Sequence, residues 1–340
     1  MINDAILGEY GSFSDFDSAF NMVKEEVERT LSSAPLIIRK YTKHLAKAQG
    51  KFIRAVSLLT CAQKKDGTIN QSAGRIAAAI EILHLATLVH DDVIDDAGIR
   101  RGIPTLQKKY GKRTAVICGD YLLSVALKMT ASVYRDYPGL NLENMDAAEY
   151  NKEFRRLNLP DYISRVCLGE LNQHINNGNL DLSVYQYLKI ISGKTAALFE
   201  ASFCAGAILS GCEEEEIRKY RRLGRQIGMI FQLMDDCMDF EATENTAKKP
   251  VQSDFEQNVI TLPLIRALHT QQDFKKRIRE AGATRGEINR AVEKSGGIVF
   301  SRMVAARYHD KALKIIRELI ISPEKEAALL AILKIVYRES

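Results

Sequence analysis

Breakers are scarce in this sequence. Seven prolines and 21 glycines are spread over 340 residues, which leaves room for long helices. No Cys-x-x-Cys pair occurs among the cysteines at 61, 118, 167, 204, 212 and 237. Zinc-ribbon and thioredoxin-type sites therefore have no support, and scattered thiols suit a reducing compartment. The N-terminus, with Asp4, Glu9, Asp15 and Asp17, lacks the apolar stretch of a secretory signal. No run of about 18 uncharged apolar residues is present. The longest candidate, residues 196–212, is interrupted by Glu200 and reads as a buried helix. Strand-type alternation of useful length is absent, and so are short-period repeats. Neither sign of charge dominates: 48 basic against 43 acidic residues give +5, too mild a balance for a nucleic-acid partner. With 46% hydrophobic and 27% charged residues, the chain is neither disordered, collagen-like nor a disulfide framework. A soluble, cytoplasmic protein with no transmembrane segment is expected.

Helical periodicity is what remains. Phe16, Phe20, Val23, Val27 and Leu31 recur at spacings of three and four, behind a capping box read from Ser14 to Asp17. Residues 73–96 place Ile76, Ile80 and Leu83 on one stripe and run into an acidic cluster. Residues 217–240 repeat the design, with Tyr220, Leu223, Ile227, Ile230, Met234 and Met238 as the stripe. The polar stretches 141–158 and 241–258 read as loops, and the second follows an acidic cluster directly. No composition shift marks a linker. One all-α domain over residues 1–340 is the expectation.

The two acidic clusters carry the chemistry. His90-Asp91-Asp92-Val93-Ile94-Asp95-Asp96 is followed by Arg100-Arg101-Gly102. On a helix Asp91 and Asp95 project from nearly the same angle. Like charges at that spacing cost an isolated helix roughly 0.2–0.5 kcal/mol, so a neutralising cation is implied. Asp235-Asp236-Cys237-Met238-Asp239 repeats the spacing, with Gln232 and Gly228 upstream on the same edge. Magnesium prefers oxygen ligands and is commonly held by one or two carboxylates plus substrate phosphates. Two such helix ends with arginines nearby suit a magnesium–diphosphate site. Other metal sites fit poorly. EF-hand spacing is missing, and a di-iron bundle needs a second partner for Glu81-Ile82-Leu83-His84. A P-loop, GxGxxG, HExxH and GxSxG are all absent.

From about residue 35 to its C-terminus the sequence resembles the trans-prenyl diphosphate synthases, or polyprenyl synthetases. Glu81 to Gly102 is similar to that family's first aspartate-rich region, and Phe231 to Asp239 to its second. Gly119-Asp120, Gly169-Glu170 and Gly193-Lys194-Thr195-Ala196 stand between them where the family has comparable signatures. Thr261-Leu262-Pro263-Leu264 and Ser295-Gly296-Gly297 follow in the family's order. Residues 1–34 form an N-terminal helical segment ahead of the resemblance. Within the family, the sequence resembles bacterial heptaprenyl and octaprenyl diphosphate synthases.

The resemblance implies a single large helical bundle around a central cavity, with the two aspartate motifs facing one another across its mouth. It implies Mg²⁺ held by Asp91, Asp92, Asp95, Asp235, Asp236 and Asp239. Lys51, Arg54, His84 and Arg101 match the isopentenyl diphosphate pocket, while Arg100, Lys194 and Lys249 match contacts to the allylic diphosphate. Lys194, Thr195 and Gln232 match groups acting at the reacting centre. The implied partners are these two substrates and a second chain, either a copy (homodimer) or a small unlike subunit (heterodimer). Peripheral membrane contact would serve release of a lipophilic product.

Two departures stand out. The family's Gly-Lys-Arg-x-Arg-Pro is here Gly50-Lys51-Phe52-Ile53-Arg54-Ala55, and its Gly-Lys ahead of Thr-Leu-Pro is Asn258-Val259. In the family a bulky aromatic four or five residues before the first aspartate gives short products. Ala86 and Thr87 are small there, so an open tunnel is expected, with a product suited to quinone side chains. Three alternatives are a short-chain geranylgeranyl or farnesyl diphosphate synthase, a terpene cyclase and a non-catalytic or partner-dependent subunit. A cyclase has no use for Lys51, Arg54 and His84, and a non-catalytic subunit has no use for two complete aspartate motifs.

Overall fold

The computed structural model describes residues 12–47, 50–135, 158–241 and 259–338. Among them the protein is helical, apart from the two-residue strands β1 (Ser12–Phe13) and β2 (Ile69–Asn70), which pair with each other, and β3 (Ile99–Arg100) and β4 (Ile103–Pro104), which do likewise. The chain falls into two compact units. The first comprises Met1–Leu159, Ala201–Arg221 and Ile320–Leu329; the second comprises Pro160–Glu200, Arg222–Leu319 and Leu330–Ser340. Of the two predicted loops, residues 141–157 and 242–258 lie outside the described residues.

The first unit is built on α1 (Phe16–Ser32), α2 (Leu36–Ala46), α3 (Ile53–Ala62), α4 (Gln71–Ile94), α5 (Leu106–Tyr110) and α6 (Lys112–Arg135). The stripe Val23, Val27 and Leu31 of α1 is buried as its spacing predicts, and Ala19 joins it. Its cap differs from the expectation. Asp15, not Ser14, accepts the Ser18 backbone N–H at 2.8 Å, because the helix begins at Phe16 and Asp15 stands at its N-cap position. Helix α4 is apolar nearly all round, with Ile76, Ile80, Ile82 and Leu83 buried, which marks a core helix. By length and composition α4 and Lys112–Val133 are apolar enough to cross a membrane. At 24 and 22 residues both are longer than the run 196–212, and two-thirds of the apolar part of α4 is packed inside the protein.

Helix α3 ends on a buried lysine. Lys325 Nζ donates to the carbonyls of Cys61 at 2.6 Å and Gln63 at 2.8 Å, satisfying groups that a helix C-terminus leaves unpaired. Helix α4 closes with Asp96 in the left-handed region (φ 51°) and the Ala97 N–H bonded to the Asp92 carbonyl, a Schellman ending. That ending turns the chain out of the helix directly behind the first acidic cluster.

The second unit contains most of α7 (Leu159–Ile175), then α8 (Val184–Ile191), which continues through a five-residue π-helical segment, Ser192–Ala196, into the first turn of α9 (Ala197–Leu209), whose remainder is counted in the first unit. It also contains the later part of α10 (Glu214–Glu241), then α11 (Leu262–Thr270), α12 (Gln272–Ala281), α13 (Arg285–Lys294), α14 (Gly297–Arg317) and the end of α15 (Pro323–Tyr337). The α10 stripe from Tyr220 to Met234 is buried, but Met238 is 42% exposed at the helix end. Glu200, the charge that interrupts the apolar run 196–212, is buried and held by Arg165 through two bonds of 3.0 and 2.8 Å. That bidentate geometry is how a carboxylate is tolerated in a core. All six thiols are free.

Candidate active site

In the first unit a two-residue turn sets the arginines. Arg101 (φ 51°) and Gly102 (φ 79°) both lie in the left-handed region between β3 and β4, as a tight hairpin of this kind requires. Arg100 Nε then reaches Asp92 Oδ1 at 2.6 Å. Gly50 lies against Arg101, since a Cβ there would stand 2.7 Å from its guanidinium. The Lys51 segment thus runs alongside the Arg101 side chain. Arg54 is 7% exposed, and burial pushes its guanidinium down to about 10. Glu81, whose Oε1 accepts the Ala55 N–H at 3.0 Å, opposes that shift, while burial raises its own carboxyl. His84 is held well below 6.5, first by burial and then by Arg54, Arg101 and Arg100. It is a neutral imidazole offering a hydrogen bond rather than a charge.

The departure at Phe52 has a structural reading. Its backbone is left-handed (φ 52°), its ring is buried, and it meets the Phe20 ring edge-on at 6.2 Å. The side chain belongs to the packing of α1 on the rest of the unit, and Lys51 beside it is exposed. Of the first acidic cluster, Asp91 and Asp95 are half-buried, whereas Asp92 is 5% exposed. Burial raises the Asp92 carboxyl and Arg100 opposes the shift. His90, next to the cluster, packs over Gly119, where a Cβ would stand 2.4 Å from its Nε2, and lies 3.2 Å from Asp120. Ala86 is 1% exposed, and Thr87 is half-buried with its hydroxyl on the His84 carbonyl at 2.8 Å.

In the second unit two helices converge on the π-helical segment. A Cβ at Gly169 would stand 2.2 Å from the Lys194 nitrogen, and one at Gly228 would stand 2.5 Å from Ala196 Cα. Helices α7 and α10 thus approach that segment at backbone distance. Lys194 Nζ lies 3.0 and 2.9 Å from the two Glu170 oxygens. Thr195 donates to Gln232 Oε1 at 2.7 Å, Gln232 Nε2 donates to Asp236 Oδ1 at 2.7 Å, and the Tyr187 hydroxyl donates to Asp236 Oδ2. Asp235 and Asp239 are half-buried. Arg338, left-handed at φ 56°, places its guanidinium 3.0 Å from Asp235 Oδ1. Further along, a Cβ at Gly297 would stand 2.4 Å from the Pro263 carbonyl oxygen, so these two late motifs are also in contact.

Every described motif glycine at a close approach therefore has its partner in another motif or in a site residue. Lys249 and Asn258 lie outside the described residues, and Val259 is half-buried. Tyr187 and Arg338 were not singled out by the sequence, and Glu170 stood only in a signature, without its pairing to Lys194. Tyr187 is 49 residues from its partner and Arg338 is 103 residues from its own, so no spacing rule connects them.

Both aspartate edges fit a hard divalent cation. Each offers two half-exposed carboxylates, and a positive guanidinium already stands against Asp235. Among the described residues no three His, Cys, Asp or Glu side chains converge into a closed cage.

A family model described as polyprenyl synthetase matches residues 35–295. The chain is 34% identical over 299 residues to heptaprenyl diphosphate synthase component 2 of Geobacillus stearothermophilus, covering 86% of this chain and 88% of that one. It is 28% identical over 314 residues to a geranylgeranyl diphosphate synthase of Saccharolobus solfataricus, covering 90% and 91%. The crystal structure of a heptaprenyl diphosphate synthase from Staphylococcus aureus superposes with a TM-score of 0.82 at 31% identity, covering 95% of this chain and 98% of that one.

Proposed function

Because the chain belongs to the polyprenyl synthetase family, and is thus a prenyltransferase of isoprenoid biosynthesis, we propose that it is a Mg²⁺-dependent long-chain trans-polyprenyl diphosphate synthase. It condenses isopentenyl diphosphate repeatedly onto an allylic diphosphate. Small side chains at Ala86 and Thr87 leave room for a product of about six to eight isoprene units, since pocket shape sets which length is accepted. Such products suit quinone side chains, and the enzyme is assigned to the cytoplasm.

In the first unit Lys51, Arg54, His84 and Arg101 bind isopentenyl diphosphate. Arginine grips phosphate through paired donors, and neutral His84 adds a hydrogen bond without adding charge. Arg100 and Lys194 are assigned to the allylic diphosphate, with Lys249 as a further cation. Glu170 orients Lys194. Asp91 and Asp95, and Asp235 and Asp239, would hold Mg²⁺, which when bound neutralises the charge developing on the departing pyrophosphate as the C–O bond breaks. Thr195 and Gln232 stand by the allylic carbon, where positive charge develops. The double bond of isopentenyl diphosphate attacks that carbon, and the proton then lost goes to the released pyrophosphate. No side-chain base is assigned.

The observation that carries this reading is the second unit's layout. One helix, α10, presents a half-exposed carboxylate edge and, from the same turns, a hydrogen-bond chain into the Lys194–Thr195 segment. A metal-assisted ionisation needs those two features side by side. The name of the Geobacillus relative supports a second chain, and so does the exposed apolar side of α6 at Val116, Ile117 and Leu127. A short-chain product is the runner-up, since the Saccharolobus relative bears such a name. The test is release of label from isopentenyl diphosphate into an acid-labile product by the purified chain, with an allylic primer and Mg²⁺. Incorporation that stops on chelation is expected, and incorporation unaffected by chelation would overturn the metal assignment.

A further inference from the structure

The two Asp-Asp pairs share a feature that their spacing hides. In each pair the second aspartate is buried and engaged inside the protein, while the first aspartate and the one four residues on are half-exposed. Asp92, 5% exposed, is taken by Arg100 at 2.6 Å. Asp236, 2% exposed, accepts from Gln232 and from Tyr187 on its two separate oxygens. Adjacent residues on a helix point about 100° apart, so Asp236 leaves the Asp235/Asp239 edge and faces Gln232 one turn earlier.

The chemistry of these groups fixes the polarity of the chain. Both Asp236 oxygens accept, one from Gln232 Nε2 and the other from the Tyr187 hydroxyl, so the Gln232 atom facing Asp236 is its amide nitrogen. The amide oxygen then faces Thr195, and the Thr195 hydroxyl donates its proton to it at 2.7 Å. With the proton committed inwards, the Thr195 oxygen keeps its lone pairs for whatever lies on its other side. Tyr187 and Thr195 are themselves buried, and polar chains away from water are stronger and more rigid than exposed ones.

We propose that Asp236 is a positioning residue and not a metal ligand. Held by Tyr187, it sets the orientation of Gln232 and thereby makes Thr195 present lone pairs, not a proton, to the carbon that becomes positive. The proposal deepens the prenyl-transfer reading and rests on it. Tyr187 is a positioning residue of the same kind, reaching the reacting centre through Asp236 and Gln232.

Three variants decide the matter: Asp236→Asn, Tyr187→Phe, and Asp235→Asn as the benchmark for a lost ligand. Mn²⁺ binding in the presence of inorganic pyrophosphate is counted by the electron paramagnetic resonance of free Mn²⁺. Steady-state kcat and KM for isopentenyl diphosphate are measured beside it. Asp235→Asn should weaken Mn²⁺ binding about tenfold or more, whereas the other two variants should keep it within about twofold and lower kcat about 10- to 100-fold with KM little changed. Mn²⁺ affinity that falls as far in Asp236→Asn as in Asp235→Asn would make Asp236 a ligand and overturn the proposal. Full kcat in Tyr187→Phe would overturn the part assigned to Tyr187. That variant removes one oxygen and keeps the ring, so it serves if Asp236→Asn does not fold. A parent chain that consumes no isopentenyl diphosphate would count against the prenyl-transfer reading instead, and the Mn²⁺ comparison would still decide whether Asp236 is a ligand.

Discussion

Cations and carboxylates in the candidate site are matched one against another: Arg100 on Asp92, Lys194 on Glu170 and Arg338 on Asp235. The third pair has a consequence for metal binding. The Arg338 guanidinium competes with a divalent cation for Asp235, so Arg338→Ala should bind Mn²⁺ more tightly. Both side chains are partly exposed, which limits the gain to about two- to fivefold, and the gain should shrink in high salt. Unchanged or weaker affinity would show that Arg338 does not compete. His84 gives a pH test. Its folded pKa lies well below 6.5, so below that value the unfolded chain takes up a proton that the folded chain refuses. Its contribution to stability is therefore fully present above pH 6.5 and is lost as the pH falls through that value towards its folded pKa. In His84→Gln the acid-side fall in melting temperature should be shallower than in the parent, and an equally steep fall would contradict the neutral assignment. At this scale the metal-type aspartates were legible because spacings of four put them on one edge. Tyr187 and Arg338 were not, because contacts between distant segments leave no local pattern.

Between elements the decisive feature is close approach. Helix α7 meets the π-helical segment at Gly169, and α10 meets it at Gly228. Gly169→Ala would force a Cβ to 2.2 Å from a backbone nitrogen, an overpacking that costs about 3 kcal/mol or more. Gly286 lies within α13 with nothing near its missing Cβ, so Gly286→Ala should instead stabilise by about 0.5–1 kcal/mol. Denaturant titration of the pair measures both, and a Gly169→Ala chain as stable as the parent would refute the packing argument. Long helices such as α4 and α10 were readable from their apolar stripes. The π-helical segment was not, since Ser192–Ala196 differs from an ordinary turn only through the helices laid against it. The cap at Asp15 instead of Ser14 is a similar case: either side chain satisfies the local pattern, and only the geometry selects one.

At the scale of the whole molecule the expected all-α fold is present, and the family is established by matches that span most of the chain. Product length depends on more than fold, since relatives of similar likeness bear heptaprenyl and geranylgeranyl names. In this chain the reading rests on two positions. Replacing buried Ala86 by phenylalanine should shorten the product, and an unchanged distribution would separate chain length from that position. The measurement that tests the central claim most directly is the size of the product made by the purified chain from farnesyl diphosphate, labelled isopentenyl diphosphate and Mg²⁺. After dephosphorylation, chromatography should show alcohols of six or more isoprene units. Products that stop at four units would contradict the long-chain assignment. Failure to incorporate label both by the chain alone and with a small partner subunit added would contradict the synthase itself.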